Sequence, residues 1–373
     1  YDEPILIKQN DRIKTIKIGK FIDLYYSKDE HGIPKPAEKV EVLAFDQETL
    51  KINWRPITYV FRHTYEKPLH KLTLESGREI KITPGHSVFI FRDSKIVTVP
   101  SDQLKEGDFV IIPKRLPSNT IEITEINLAH ELLRLKITRG LFLHNVPMSV
   151  FSRLSKIPRH WINFKKLPLE FAHQLKNDEL RYCTLKCKGG SPSGVPTFIP
   201  VSKELLRLLG YYIAEGSLFI SSSRSHLLSF CFNKKETHFI EEVKNIIFTL
   251  FKQTVSILPD RNASKVNVGN RLIYHLLHDV LNVGHSAHTK KIPDIVFNVT
   301  TDLKKQFLDA WFNGDAGVTV SRELISDVLY LLLTCGIIGT VGRDEKERTA
   351  LLNGRPITSH GYYKLVSPAT PTV

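Results

Sequence analysis

Two acidic side chains occupy matching positions in a repeated segment of this sequence. Glu215 stands near the end of Leu208–Gly216, and Asp315 takes the same place in Leu308–Ala316, at a constant offset of 100 residues. Both segments predict helices, and a carboxylate at the C-terminal end of a helix is electrostatically unfavourable. Two such carboxylates side by side resist joint ionisation, and a shared divalent cation would remove the conflict. Hard oxygen ligands favour Mg²⁺ or Mn²⁺, whose chemistry beside nucleic acid is phosphodiester hydrolysis.

Small residues in each segment indicate how the two acids would be brought together. Gly210 and Ala214 lie four positions apart in the first segment, and Ala310 and Gly314 lie four apart in the second. Residues at this spacing share one face of a helix and form a flat stripe, along which two helices can pack backbone to backbone. One such helix alone is usually part of a core. The repeat, with both acids in register, favours a functional site.

The paired segments resemble the LAGLIDADG helices of homing endonucleases, over roughly residues 200–366. The resemblance implies a duplicated αββα fold whose sheets form a saddle on DNA, with Glu215 and Asp315 as catalytic residues that bind the metal. Strand-like and helical sequence follows each segment in that order: Ser217–Ile220, Leu227–Phe232 and Glu236–Phe251, then Val318–Val320, Arg322–Leu333 and a late strand at Tyr362–Leu365. Ala316 replaces the usual final glycine, and Gly317 is the alternative helix stop.

A lysine block lies between the two helix segments. His288–Pro293 resembles the family's lysine-x-Ile-Pro block, which implies that Lys290 is a catalytic lysine near the scissile phosphate, with Lys291 one position away as the alternative. A cation there would stabilise the charged phosphate or help to activate water. Taken alone, two lysines before Ile-Pro are usually surface charge. A matching lysine block for the second repeat is not found, and Lys364 is only a weak substitute for it. The alternative function is therefore a DNA-binding intein without nuclease activity.

The N-terminal third is predicted to be β-structure. Short β-prone runs alternate with turn signals such as Ser76-Gly77 and Pro84-Gly85. Thr83 and His86 flank the second turn, three residues apart, where both side chains would reach one backbone amide. A histidine can protonate an amide nitrogen as it leaves, and a hydroxyl can support the developing oxyanion. The predicted strands are Pro4–Lys8, Lys14–Ile18, Val40–Phe45, Lys51–Trp54, Lys71–Leu74, Glu79–Thr83, Ser87–Phe91 and Phe109–Pro113.

This region resembles the N-terminal splicing half of archaeal inteins, which has the Hint fold, over roughly residues 1–115. The resemblance rests on four blocks in the family's order: Tyr1–Lys8, Ile18–Asp23, Thr83–His86 and Leu104–Val110. It implies that Thr83 and His86 assist the acyl shift that begins protein splicing. The family's initial Cys, Ser or Ala is not found before Tyr1, and its closing His-Asn is not found at the end of this sequence, which stops at Thr372-Val373. We therefore expect splicing only in a full-length parent, where the flanking host segments (exteins) are the partners.

A basic stretch separates the two regions and is predicted to be a small helical insert. From about Ala129 to Lys176 the spacing of apolar residues is helical. Ser149–Leu154 and Arg159–Phe164 suggest a helix-turn-helix with Trp161 packed inside, which would contact DNA. A solvated pair of linker helices is the equally weighted alternative. The candidate DNA-binding residues are Arg153, Lys156, Arg159, Lys165 and Lys166.

Composition supports this arrangement. Hydrophobic residues make up 42% and charged residues 24% of the 373 residues, which excludes a disordered chain, and the net charge of +13 suits duplex DNA. We expect an intracellular protein, because four cysteines are too few for a disulfide framework. We expect no membrane span, because no apolar run approaches the ~20 residues that a span needs. We also expect a monomer. Cys183 and Cys187 lack a second pair with zinc spacing.

The predicted fold is multi-domain: a mostly-β Hint domain (1–120), the basic helical insert with its linker (121–199), and an α+β LAGLIDADG endonuclease (200–373).

Overall fold

The fold was obtained as a computed structural model that describes residues 1–118, 122–189, 193–352 and 355–366. Its contacts form two compact units, one of Tyr1–Glu122 with Gly317–Val373 and one of Ile123–Ala316. Each unit has its own apolar core, and each is described separately below. Within the described parts of the chain, no helix is long and apolar enough to cross a membrane.

The N-terminal part of the first unit is built from short antiparallel strands. Its elements are β1 (Pro4–Gln9), β2 (Arg12–Lys17), α1 (Ile18–Asp23), β3 (Lys35–Pro36), β4 (Val40–Asp46), β5 (Lys51–Pro56), β6 (Tyr59–Val60), β7 (His70–Thr73), β8 (Glu79–Ile82), β9 (Ser87–Arg92), β10 (Lys95–Pro100) and β11 (Phe109–Val110). They form sheets in the orders β2-β1-β4-β5, β10-β9-β11, β3-β6 and β7-β8. The predicted β-structure is confirmed, and the strands that the prediction omitted are β3, β6 and β10.

Two-residue turns set the register of the hairpins in this region. Asn10 and Asp11 have φ values of 50° and 58°, and Asp93 and Ser94 have φ values of 49° and 60°. Two consecutive residues with positive φ match the twist of the flanking strands, and Asn and Asp tolerate this conformation well. The resulting sheet and α1 enclose an apolar cluster that includes Ile7.

The insert contains short helices at both predicted positions, together with strands that the prediction did not include. The elements here are β12 (Glu125–Asn127), α2 (Leu128–Arg134), β13 (Leu141–His144), α3 (Met148–Phe151), α4 (Arg159–Asn163), β14 (Leu167–Pro168), α5 (Asn177–Arg181), β15 (Thr184–Cys187), β16 (Val195–Pro196) and β17 (Phe198–Pro200). Strands β14-β13-β15-β16 form an antiparallel sheet. Leu141 and Leu143 are buried while their neighbours are less so, a period of two that the surrounding leucines mask.

The remainder of the second unit follows the predicted order of elements. These are α6 (Lys203–Glu215), β18 (Gly216–Ile220), β19 (His226–Asn233), α7 (Thr237–Phe251), β20 (Ser256–Asp260), β21 (Ala263–Gly269), α8 (Arg271–His275), α9 (Asp294–Phe297) and α10 (Thr301–Asp315), with a π-helical turn at Leu276–Val280. The antiparallel sheet has the order β18-β19-β21-β20. Phe230 and Phe232 of β19 are buried, and Phe232 meets the ring of Tyr211 on α6 edge-on. The sheet therefore packs against α6 through aromatic side chains.

The C-terminal elements differ from the predicted second repeat. They are β22 (Val318–Thr319), α11 (Arg322–Thr334), β23 (Thr340–Leu352) and β24 (Arg355–Val366), and the sheet order is β22-β24-β23. Residues 316–321 are all described, and only β22 lies between α10 and α11, where an αββα repeat requires two strands. So short a connection has no room for a hairpin.

The C-terminal elements belong to the same compact unit as the N-terminal strands. A guanidinium nitrogen of Arg322 on α11 lies 2.7 Å from a carboxylate oxygen of Glu3, and the Tyr330 hydroxyl donates to the Pro4 carbonyl over 3.0 Å. The backbone N–H of Val341 on β23 donates to the Ser76 carbonyl over 2.8 Å. The compact units therefore do not coincide with the boundary predicted at residue 199, and the three predicted domains stay predictions.

Candidate active site

Helices α6 and α10 pack backbone to backbone, as the small residues predict. A Cβ added to Gly210 would lie 2.4 Å from the Phe307 carbonyl oxygen and 2.7 Å from the Ala310 Cβ. A Cβ added to Gly314 would lie 2.4 Å from the Ala214 Cβ. No side chain larger than hydrogen fits at either glycine without a shift. This close contact brings the C-terminal ends of the two helices together.

The two helices end in different ways. After α6 the chain turns directly into β18 with Gly216 in an extended conformation, and a Cβ there would meet the Cα of Tyr212 at 2.6 Å. After α10 the capping residue is Ala316, whose φ is 49° and whose N–H donates to the Phe312 carbonyl over 2.8 Å. The absence of a side chain at Gly216 therefore leaves room for the Tyr212 backbone. Ala316, by contrast, adopts the left-handed conformation that usually belongs to glycine.

Glu215 and Asp315 are both partly shielded from water, and the charge of Asp315 acts on Glu215. Burial raises the pKa of Glu215 to about 7, and the negative charge of Asp315 contributes to this rise. Burial likewise raises the pKa of Asp315 to about 6. The Lys290 ammonium opposes the rise for both carboxyl groups. The site thus contains two acidic side chains and one basic side chain that are partly shielded from water. These are the residue types predicted from the sequence.

Lys290 is held in this site by the C-terminal end of α6. Its side chain is buried, with 7% exposure, and its Nζ donates to the Ala214 carbonyl over 3.2 Å. The same nitrogen lies 5.6 Å from the centroid of the Tyr212 ring, within the range of a cation–π contact. Burial lowers the pKa of Lys290 to about 8, although both carboxylates favour its charged form. Lys290 is therefore mostly protonated at neutral pH.

Tyr212 also positions the loop that carries Lys290, a role that the sequence analysis missed. Its hydroxyl donates to the Gly284 carbonyl over 2.6 Å. Gly284 has a φ of 76°, and a Cβ on it would lie 2.8 Å from the Lys290 Cα, so the loop closes tightly on itself. The repeated segment itself contains the signal, because Tyr212 is the polar-tipped residue one helical turn before Gly216.

The acidic pair suits a hard divalent cation. Mg²⁺ typically binds one or two protein carboxylates and keeps several water ligands, so Glu215 and Asp315 would suffice as protein ligands. The raised pKa values of both acids indicate negative charge that a bound cation would relieve. Among the described residues there is no group of three or more His, Cys, Asp or Glu side chains with the geometry of a metal site. Cys183 is buried, and burial raises its pKa to about 12.

Thr83 and His86 lie in the turn between β8 and β9. The backbone N–H of His86 donates to the Thr83 carbonyl over 2.9 Å, which closes the turn around Pro84 and Gly85. The buried hydroxyl of Ser101 donates to the carbonyl oxygens of Thr83 and Pro84, each over 3.0 Å. Hydrogen bonds from Ser101 thus hold the turn in place, and the His86 side chain is exposed. Ser101 is a supporting residue that the sequence analysis missed.

The five candidate DNA-binding residues have different surroundings. Arg153 makes a two-point ion pair with Glu179, at 2.6 and 2.8 Å, which lowers the pKa of Glu179 to about 2. Lys166 is half-buried, with its Nζ 5.3 Å from the Phe164 ring centroid. The other three are exposed: Lys156, Arg159 and Lys165. Trp161 is only partly buried and meets Phe171 edge-on. A role in DNA binding stays a prediction for all five.

Comparison with known proteins identifies the family. Residues 6–326 match the model of the intein splicing domain, so this chain belongs to the intein splicing domain family. The prediction of an intein is confirmed. Transcription initiation factor IIB of Methanocaldococcus jannaschii is 27% identical over 366 residues, which cover 96% of this chain and 41% of that protein. The chain likewise spans less than half the length of the other curated relatives that we compared.

Solved structures give weaker matches. The transcription factor IIB Mvu mini-intein is 34% identical, with 30% of this chain and 68% of that chain covered and a TM-score of 0.28. The homing endonuclease I-DmoI, solved with DNA and Ca, is 15% identical, with 44% of this chain and 82% of that chain covered and a TM-score of 0.34. So low a TM-score carries no conclusion about the activity of this chain.

Proposed function

We propose that this chain is an intein that carries a LAGLIDADG-type homing endonuclease, which makes a metal-dependent double-strand cut at a long DNA site. The observation that supports it is the placement of Glu215 and Asp315 at the ends of two helices in close contact, beside the buried Lys290. Two acids and one base concentrated in a partly buried site are costly to the fold, which is typical of a functional site. Duplex DNA is the proposed partner.

Each of the three residues has a proposed role. Glu215 and Asp315 would hold Mg²⁺ or Mn²⁺, because both offer hard oxygen ligands. The bound cation would supply Lewis acidity to a phosphodiester group. Lys290 would place its ammonium beside the negative charge that develops on the phosphate, and Tyr212 would keep it there through the ring and the Gly284 carbonyl.

The test is cleavage of DNA that contains the host gene without the intein sequence. We expect a double-strand cut at one position when the purified chain is incubated with Mg²⁺ or Mn²⁺, and none with a chelator. DNA in which the intein sequence interrupts that position is the matched control and should stay intact. Uncut intein-free DNA under every divalent cation tested would contradict the proposal.

The wider setting follows from the same proposal. The net charge of +13 favours DNA as a partner, and membership of the intein family implies host segments on either side in a precursor. The proposed organisation is the Hint domain at 1–120, the basic insert at 121–199 and the endonuclease at 200–373. We propose that the chain acts as a monomer inside the cell.

A second candidate is an intein whose endonuclease is degenerate, so that it binds DNA without cutting and acts chiefly in protein splicing. The single strand between α10 and α11 favours this alternative, because the second repeat is incomplete there. The Thr83–His86 turn, which is held by hydrogen bonds, supports the splicing role.

The second candidate is tested in a full-length parent with both flanking segments. Thr83→Ala and His86→Ala should each slow release of the N-terminal flank by at least about tenfold, since general acid catalysis contributes on the order of 10²-fold or more. Thr98→Ala on β10 is the matched control and should splice normally. Tight, salt-sensitive DNA binding without cutting would favour this candidate over the first.

A further inference from the structure

A positively charged groove lies in the second unit, formed by residues other than Glu215, Asp315 and Lys290. Its volume is about 520 Å³, and it is lined by strand β15 with the residues that follow it, by the turn between β18 and β19, and by the start of α8. The Lys, Arg and His residues that line it are Lys186, Lys188, Arg224, His226, Arg271 and His275. No aspartate or glutamate is among its described lining residues.

The base of the groove is fixed by hydrogen bonds. Arg271 donates through Nη1 to the Arg139 carbonyl over 3.0 Å and through Nε to the His275 ring over 3.2 Å. The other ring nitrogen of His275 lies 2.7 Å from the Asp279 carboxylate. Because His275 accepts from Arg271 and donates to Asp279, the imidazole is neutral in this arrangement. The Arg271 charge is therefore held in place without a carboxylate beside it in the groove.

Hydrogen bonds also hold the turn that carries Arg224. Arg224 has a φ of 62°, and its N–H donates to the Ser221 carbonyl over 2.8 Å. The Ser225 N–H donates to the Ser221 hydroxyl over 3.1 Å, and the Ser221 N–H donates to the Ser225 carbonyl over 2.9 Å. These bonds fix the backbone that presents Arg224, whose side chain is exposed, as is that of Lys188 on another wall of the groove.

The Arg271 charge acts on two neighbouring groups. Burial lowers the pKa of His226, and Arg271 lowers it further, while Asp279 opposes the change. Arg271 also opposes the rise that burial causes in the pKa of the Cys187 thiol. A groove with several cations and no lining acid attracts an anion, and exposed Lys and Arg side chains suit the oxygens of a phosphate.

We propose that this groove binds a backbone phosphate of duplex DNA, with Lys188 and Arg224 as its exposed ligands. The inference rests on the DNA-binding part of the proposed function and adds a second contact, outside the carboxylate site and separate from the five predicted residues of the insert. The groove is open to solvent and far larger than a phosphate ion, which favours a phosphate that belongs to a polymer. A free phosphate shares the chemistry, and the experiment separates the two sources.

The experiment measures the affinity of the purified chain for a mixed-sequence DNA duplex of about 30 base pairs at several salt concentrations, with a chelator present to prevent cutting. Phosphate contacts do not depend on sequence, so the target site is not needed. The test variant is Lys188→Gln with Arg224→Gln. The matched control, Lys203→Gln with Lys244→Gln, removes the same charge from α6 and α7, and neither residue lines the groove.

We expect the groove variant to bind about tenfold more weakly, with a salt dependence reduced by about one to two phosphate contacts. The control should stay within about twofold of the parent chain. Equal affinities for the groove variant and the control would overturn the inference. A second result would also overturn the inference: the parent chain binds inorganic phosphate tightly, and the groove variant loses this binding but keeps its affinity for the duplex.

The outcome is distinguishable from failure of the proposed nuclease. A chain that binds the duplex through the groove and never cuts leaves the inference standing and contradicts the cutting activity. A chain that cuts DNA while its groove variant behaves like the control contradicts the inference alone. A chain that binds no duplex at all contradicts both. Thermal unfolding of each variant confirms that the substitutions leave the fold intact.

Discussion

Glu215, Asp315 and Lys290 show how three ordinary side chains acquire unusual acidity through their position. Burial raises the pKa of Glu215 to about 7 and of Asp315 to about 6, and it lowers the pKa of Lys290 to about 8. All three pKa values therefore lie within about one unit of neutrality. We expect such a site to respond to a cation, to a phosphate or to a modest change of pH.

The acidic pair predicts how stability depends on pH in the absence of metal. Because the pKa of each carboxyl group is raised in the folded state, the pair stabilises the fold at low pH, and that stabilisation is lost as pH rises through about 6 to 7. We expect the free energy of unfolding to fall by about 1–3 kcal/mol more between pH 5 and 8 in the parent chain than in Glu215→Gln with Asp315→Asn.

Chemical unfolding at both pH values, with and without Mg²⁺, checks this expectation. Mg²⁺ at pH 8 should restore stability to the parent chain and have no effect on the double variant, because a ligand that binds only the folded state stabilises it. Identical pH profiles for the two chains would show that the raised pKa values are not those of these two acids.

Ala316 offers a separate test of local backbone strain. An alanine in the left-handed conformation is disfavoured by about 1 kcal/mol, and glycine is not. Ala316→Gly should therefore raise the free energy of unfolding by about 0.5–1 kcal/mol, measured by thermal or chemical denaturation. Asn313→Gly, at an exposed position inside α10, is the control and should lower it by about 0.3 kcal/mol. Destabilisation by Ala316→Gly would contradict the left-handed cap.

The α6–α10 pair depends on hydrogen-sized side chains at its crossing. Gly210 faces the Phe307 carbonyl, and Gly314 faces Ala214, so both helices contribute one glycine and one alanine to the contact. The acids sit at positions 215 and 315, one residue beyond this contact, and their separation is therefore set by the helix packing. Any widening of the crossing would move the two carboxylates apart.

Gly210→Ala tests the packing directly. The new Cβ would lie 2.4 Å from the Phe307 carbonyl oxygen, so we expect a loss of about 1–3 kcal/mol in the free energy of unfolding, as overpacked cores show. Gly269→Ala is the matched control, because its Cβ would lie 3.7 Å from the nearest side-chain atom, an ordinary contact. A Gly210→Ala chain as stable as the control would contradict the close approach.

Some elements were predictable because their patterns are local. The order of α6, β18, β19 and α7 follows from apolar periodicity, and the stripe on α6 and α10 follows from residue size alone. The strands of the insert were not predictable. Leu141–His144 pairs with strands that come later in the chain, and a single sequence does not reveal such pairing. Lys290 was found only through a resemblance, whereas Tyr212 and Gly284 hold it through contacts between residues 72 positions apart.

The chain as a whole is an intein whose compact units do not follow the order of its sequence. Residues after Gly317 join the unit of the N-terminal strands, through the Arg322–Glu3 ion pair and the hydrogen bond between Val341 and Ser76. The turn at Thr83–His86, which we propose to act in splicing, therefore belongs to one unit, and the acidic pair with Lys290, which we propose to act in DNA cleavage, belongs to the other. Each proposed activity thus has its residues within a single unit.

The rate of DNA cleavage in acidic-pair variants tests the central claim most directly. With Mg²⁺ and intein-free DNA, Glu215→Gln and Asp315→Asn should each cut at least about 100-fold more slowly than the parent chain, as removal of one electrostatic catalytic group commonly does. Glu241→Gln on α7, an exposed acid paired with Lys244, should cut at the parent rate. Cleavage by either acidic-pair variant at the rate of the Glu241→Gln control would contradict the assignment of Glu215 and Asp315 as the metal-binding catalytic pair.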